Sequence, residues 1–101
     1  MRKKTMNKPK YQIEKTTIFK KDLKRARKQG LNLNLLDNVV TALQNGEELP
    51  EKNKDHSLTG NWNGHRECHI QPNWLLIYRI VDETLILSLV RTGSHSELFN
   101  K

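Results

Sequence analysis

The chain has one cysteine, Cys68, in 101 residues. That excludes an internal disulfide and a multi-cysteine zinc site, and a reduced, cytoplasmic setting is expected. No run approaches the ~18 apolar residues of a membrane helix, so no membrane partner is expected. The basic stretch Met1–Lys10 leads into no hydrophobic segment, unlike a secretory signal. A P-loop, a G-x-S-x-G nucleophile turn and a dinucleotide glycine pattern are all missing. Nothing therefore points to a bound nucleotide, and no cofactor is expected. Apolar residues make up 35% of the chain and mean hydropathy is −0.80, which suits one small domain with a modest core.

Acids are scarce at one end. Residues 1–30 hold 12 of the 18 Lys and Arg but only Glu14 and Asp22, a net of +10; residues 31–101 hold six basic and nine acidic residues, a net of −3. A field concentrated in this way attracts phosphate backbones or an acidic protein. Residues 1–10 are expected to be a loose basic segment, and residues 11–101 a single domain.

Tyr11 and Ile13 alternate with polar neighbours and predict a short first strand. Thr16 or Thr17 caps a helix carrying Phe19, Leu23 and Ala26 at helical spacing and ending at Gly30. Lys20, Lys21, Lys24, Arg25, Arg27 and Lys28 cover its other faces. A second helix is expected from Leu33 to Gln44, with Leu36, Val39, Val40 and Leu43 buried. Residues 46–61 read as a polar loop. The period then changes to two, predicting strands over Trp62–Gln71, Trp74–Val81 and Thr84–Arg91, with short hairpin links at Pro72-Asn73 and Asp82-Glu83. Ser94 or Ser96 caps a last turn bearing Glu97, Leu98 and Phe99. The order β-α-α-β-β-β plus a short C-terminal helix gives an α+β fold: an N-terminal strand and a helical hairpin on a mostly antiparallel sheet.

All four histidines, His56, His65, His69 and His95, fall in the second half. On a strand, His65, Glu67 and His69 share one face while Arg66, Cys68 and Ile70 take the other. Four residues of strand separate the Cα atoms of His65 and His69 by about 13 Å, which opposes joint ligation, so no metal is expected. His65-Arg66-Glu67 matches the H-x-E fragment of zinc deaminases, but their P-C-x-x-C is absent. Cys68, opposite the histidines, is expected in the core. Metal-free phosphodiester cleavage suits what remains. RNA carries its own nucleophile, the 2′-hydroxyl, and cleavage needs a base, an acid and a cation for the phosphorane. His56, Glu67, His69, Arg91 and His95 supply those groups.

Three segments together resemble a known family: Asp55-His56-Ser57-Leu58-Thr59-Gly60-Asn61-Trp62, Arg66-Glu67-Cys68-His69-Ile70-Gln71-Pro72-Asn73-Trp74, and Arg91-Thr92-Gly93-Ser94-His95-Ser96-Glu97-Leu98-Phe99. The pattern is similar to the YafQ-like branch of the RelE/ParE toxin superfamily over roughly residues 11–99. The resemblance implies a RelE-like fold and a ribosome-dependent mRNA endonuclease that cuts mRNA in the ribosomal A site. It also implies two kinds of partner, the ribosome with its 16S RNA and a cognate acidic antitoxin. Carried over by position, it marks His56, Glu67, His69, Trp74, Arg91, His95 and Phe99, and gives His65 no role. On this reading His95 is the general acid and His69 the base, with Glu67 and His56 supporting. Arg91 stabilises the phosphorane, and Trp74 and Phe99 stack on or position bases, with core packing as the alternative reading of both aromatics. Lys20, Lys21, Lys24 and Arg25 face ribosomal RNA phosphates. The family usually has Asp where this chain has Asn73, which cannot exchange a proton near neutral pH. The rivals are a non-enzymatic ParE-like inhibitor and a catalytically weakened RNA-binding homologue.

Overall fold

The computed structural model describes residues 9–100. Most of the expected loose segment, residues 1–8, lies outside the described residues, as does Lys101.

Strand β1 (Gln12–Lys15) leads into α1 (Thr17–Lys28). The Thr16 hydroxyl accepts from the Phe19 N–H at 2.9 Å, satisfying a first-turn donor, and donates to the Val90 carbonyl at 2.7 Å. The cap thereby fixes the start of the helix to the sheet. Helix α1 buries Phe19, Asp22 and Ala26. Helix α2 (Leu33–Gln44), capped by Asn32, has the expected bounds and buries Leu36, Val39, Val40 and Leu43.

Strands β2 (His56–Ser57), β3 (Arg66–Gln71), β4 (Trp74–Val81) and β5 (Ile86–Gly93) and the short helix α3 (His95–Phe99) complete the chain. The sheet order is β1-β5-β4-β3-β2, with β1 parallel to β5 and every other pair antiparallel. The α+β architecture is the expected one, with an added edge strand, β2, inside the segment read as loop. Three strand boundaries also differ, among them the end of β5, which lies at Gly93 and not Arg91. Trp62 lies in a 3-10 turn (Gly60–Trp62), and Gly64, at φ 89°, turns the chain before β3 opens at Arg66. β5 opens two residues later than expected because the preceding hairpin runs through Leu85 at φ 54°, a conformation that costs a side-chain-bearing residue about 1–2 kcal/mol.

Each sheet face has its own apolar cluster. Under α1 and α2 lie Phe19, Leu36, Leu43, Cys68, Trp74, Leu76, Tyr78, Leu87 and Leu89. On the opposite face Leu75, Ile77 and Leu98 pack with Leu58, Trp62, Val90 and Phe99. The register shifts where β5 passes Ile77 and Tyr78: Leu89 pairs with Tyr78 and Arg91 with Ile77, leaving Val90 as the extra residue. Strict alternation from Leu87 and Leu89 would turn Arg91 toward the helices. The bulge resets the phase and sets Arg91 across from Ile77, whose side chain belongs to the opposite face.

Candidate active site

Directly paired residues on neighbouring strands project from the same sheet face. His56 pairs with Glu67, Glu67 with Ile77, and Ile77 with Arg91, so four strands contribute to one row on the face away from the helical hairpin. His69 pairs with Leu75 in the next row toward the β3–β4 turn. The Glu67 side chain is only 7% exposed, with its carboxylate 3.6 Å from His56 Nε2 and 3.9 Å from His69 Nε2. The other ring nitrogen of His56, Nδ1, lies 2.9 Å from the Lys54 carbonyl, so both nitrogens of that ring face acceptors. The His69 ring meets His95 edge-on, with centroids 5.7 Å apart.

His95 is the first residue of α3, and Ser94 places it. The Ser94 hydroxyl accepts from the Glu97 N–H at 3.1 Å, and the Glu97 carboxylate accepts from the Ser94 N–H at 2.8 Å, a reciprocal box that fixes a very short helix. Asn73, in the β3–β4 turn, completes the placement. Its Oδ1 lies 3.3 Å from the His95 N–H and 3.1 Å from His95 Nδ1. An acceptor there suits a proton on Nδ1 and leaves Nε2 directed away from the turn. An amide oxygen performs this orienting role as a carboxylate would, but it takes no proton from substrate.

Arg91 is held by a residue that the sequence reading passed over. Asp22 of α1, 3% exposed, accepts from Arg91 Nε at 3.0 Å, Arg91 Nη2 at 2.9 Å, the Thr92 N–H at 3.1 Å and Arg25 Nη2 at 3.1 Å. Its hydrogen bonds and charge raise Arg91 above the ordinary guanidinium value, so this side chain keeps its charge at any working pH. The bidentate grip fixes the guanidinium plane and leaves Nη1 free of Asp22. One signal was available: Asp22 falls on the same helical stripe as Phe19 and Ala26, where a lone acid requires a partner. Gly93 also contributes, because a Cβ there would meet Glu97 Oε1 at 2.9 Å and Arg25 Nη2 at 3.0 Å.

The remaining expected residues separate. Trp74 is 2% exposed and its indole N–H donates to Thr92 Oγ1 at 2.9 Å. It offers no ring face to a base, so of the two readings of Trp74 stacking is set aside and core packing holds. Phe99 is partly exposed and meets Trp62 edge-on at 6.4 Å. Lys20, Lys21 and Lys24 are exposed on α1, whereas Arg25 also pairs with Glu97 at 3.3 Å and so joins α1 to α3. His65 precedes the strand, with its ring edge-on to Trp62 and Nδ1 3.2 Å from the Trp62 carbonyl, away from the Glu67 carboxylate contacts. Cys68 is fully buried and burial pushes its thiol up to about 12, which makes it inert as a nucleophile. Tyr78, under the helices, donates to Asp55 at 2.6 Å and so anchors the residue before His56.

A mixed five-stranded sheet with a helical hairpin on one face, joined to a short helix after the last strand, defines a RelE-like toxin of the RelE/ParE superfamily. The family described as bacterial toxin of type II toxin-antitoxin system, YafQ, matches residues 11–100. The mRNA interferase toxin YafQ of Escherichia coli is 41% identical over 88 residues, covering 86% of this chain and 94% of that protein. The E. coli DinJ-YafQ toxin-antitoxin complex contains a chain with a TM-score of 0.82 and 40% identity, covering 89% of this chain and 98% of that one. A metal-bound toxin from Helicobacter pylori has a TM-score of 0.84 and 47% identity, covering 88% of this chain and 99% of its own. The chain belongs to the YafQ toxin family of type II toxin-antitoxin systems. Among the described residues no group of three or more His, Cys, Asp and Glu is arranged to hold a metal ion, and Cys68 packs on the other sheet face. No helix of the described residues is long and apolar enough to cross a membrane.

Proposed function

We propose that this protein is a ribosome-dependent mRNA endonuclease that cleaves through the 2′-hydroxyl without a metal and is neutralised by an acidic antitoxin. The observation that carries the reading is the continuous line His56–Glu67–His69–His95 on one sheet face, with Arg91 in the same row as Glu67. His69 takes the 2′-hydroxyl proton as the 2′-oxygen bonds to phosphorus. Glu67, buried beside it, stabilises the imidazolium that forms. His95 protonates the 5′-oxygen as its bond to phosphorus breaks, so the products are a 2′,3′-cyclic phosphate and a 5′-hydroxyl. Arg91, fixed by Asp22, faces the charge that develops on the phosphorane. Phe99 positions a base, and exposed Lys20, Lys21 and Lys24 hold ribosomal RNA phosphates. The name of the E. coli relative supports the reaction class, and its complex with DinJ supports an antitoxin partner here.

The test is cleavage of mRNA on programmed ribosomes by the parental protein, His95→Gln and Arg91→Ala. Loss of about 10²–10⁴-fold in His95→Gln is expected for a general acid. An equal rate in His95→Gln, with fold and ribosome binding retained, would remove His95 from the reaction.

A further inference from the structure

A groove of about 470 Å³ runs along the edge of β3 where β2 has ended. That size lies in the roughly 300–1,000 Å³ range of small-ligand sites. His69 and Leu35 of α2 are among the residues that line it. Ile70 and Pro72 contribute apolar lining, and Lys52 and Lys54 contribute two cations. The turn carrying the lysines is fixed: Asn53, 6% exposed, donates from Nδ2 to the His69 carbonyl at 2.7 Å, and Lys54 adopts φ 47°. The same buried amide therefore ties the turn that carries both lysines to the backbone of the residue proposed as base.

Charge distinguishes this place from the rest of the C-terminal two thirds. Residues 31–101 carry only six basic side chains. Arg66 is paired with Asp55 and Arg91 with Asp22, while no salt bridge among the described residues takes up Lys52 or Lys54. Two cations and an apolar lining next to the His69 backbone match a nucleotide: phosphate to the lysines, base against Ile70 and Pro72.

We propose that this groove is a subsite for the nucleotide adjoining the scissile phosphodiester, with Lys52 and Lys54 sharing its phosphate. The proposal rests on the ribonuclease reading and adds to it the path of the RNA strand away from the cluster. A single-stranded 2′-O-methyl RNA oligonucleotide, which has no free 2′-hydroxyl and stays intact, tests it directly on the full chain. Affinity is measured against salt for the parental protein, Lys52→Gln/Lys54→Gln and Lys52→Arg/Lys54→Arg. Losing one phosphate contact should lower the log–log salt slope by about 0.7, and the arginine variant should restore it. An unchanged slope in the glutamine variant, or no RNA binding by the parental protein, overturns the subsite. So does a glutamine variant that weakens only binding of an acidic peptide, since the groove would then belong to a protein partner. A slope that falls as expected in a protein that never cuts mRNA would keep the subsite and remove the ribonuclease reading instead.

Discussion

Replacing Asn73 by Asp changes charge with almost no change of shape, at an atom 3.1 Å from His95 Nδ1 and 3.3 Å from the His95 N–H. Both existing contacts survive, and the acceptor becomes an anion. Residues 73 and 95 are exposed, so solvent screens the new attraction to about 0.2–1 kcal/mol, the range measured for surface pairs. A hydrogen bond strengthened by charge places the gain toward the upper end. One kcal/mol multiplies the ratio of charged to neutral imidazole by about five. If His95 is the acid, single-turnover cleavage on programmed ribosomes should rise by up to that factor at alkaline pH. The gain should shrink toward acid pH. An added anion also repels the substrate phosphate, but that penalty enters substrate affinity and does not bend the pH profile. A change that is the same at every pH, or a loss at saturating toxin, would refute the assignment of His95 as acid oriented by residue 73.

Three further outcomes follow from the packing. Asp22→Asn should cost about 1–3 kcal/mol in urea unfolding, the usual consequence of weakening the acceptor of several partly buried donors, and adding Arg91→Met should recover part of it; full parental stability in Asp22→Asn would deny the clamp. Trp74→Ala should lower stability by about 3–5 kcal/mol as a core truncation, whereas a stable variant defective only in cleavage would return Trp74 to the substrate site. The Ser94 N–H, then Gln29 and Arg25, hold the Glu97 carboxyl below its usual 4.5. Its contribution is thus present above that value and lost as pH falls through the lower folded one. The stability gap between the parental protein and Glu97→Gln should be open at neutral pH and close in acid, and a gap that widens in acid would reverse the sign of this linkage.

What the sequence disclosed depended on the length of each pattern. Helix α2 has three turns of regular apolar spacing, and its bounds were readable to the residue. β2 is two residues long; a strand of that length has no period and exists because Asp55 and the β3 edge hold it. The alternation of β5 was legible, but the bulge at Val90, which sets the phase of Arg91, leaves no local signature. The histidines were identifiable by type, yet His65 and His69 look equivalent until Gly64 and the Trp62 turn take His65 out of the strand. Trp74 and Phe99 show the same limit. Both are aromatics close in sequence to candidate site residues, and only the pairing of β4 between two strands makes Trp74 a core residue.

The central claim is that the His–Glu–His line cuts RNA by way of the 2′-hydroxyl. End-group analysis of mRNA cleaved on ribosomes tests it most directly, comparing parental protein with His69→Gln and His95→Gln. A 2′,3′-cyclic phosphate on the upstream fragment and a 5′-hydroxyl on the downstream one are expected from the parental protein, with both products lost in the two variants. A 3′-hydroxyl paired with a 5′-phosphate would mean that activated water, not the neighbouring hydroxyl, attacks phosphorus, and would contradict the account.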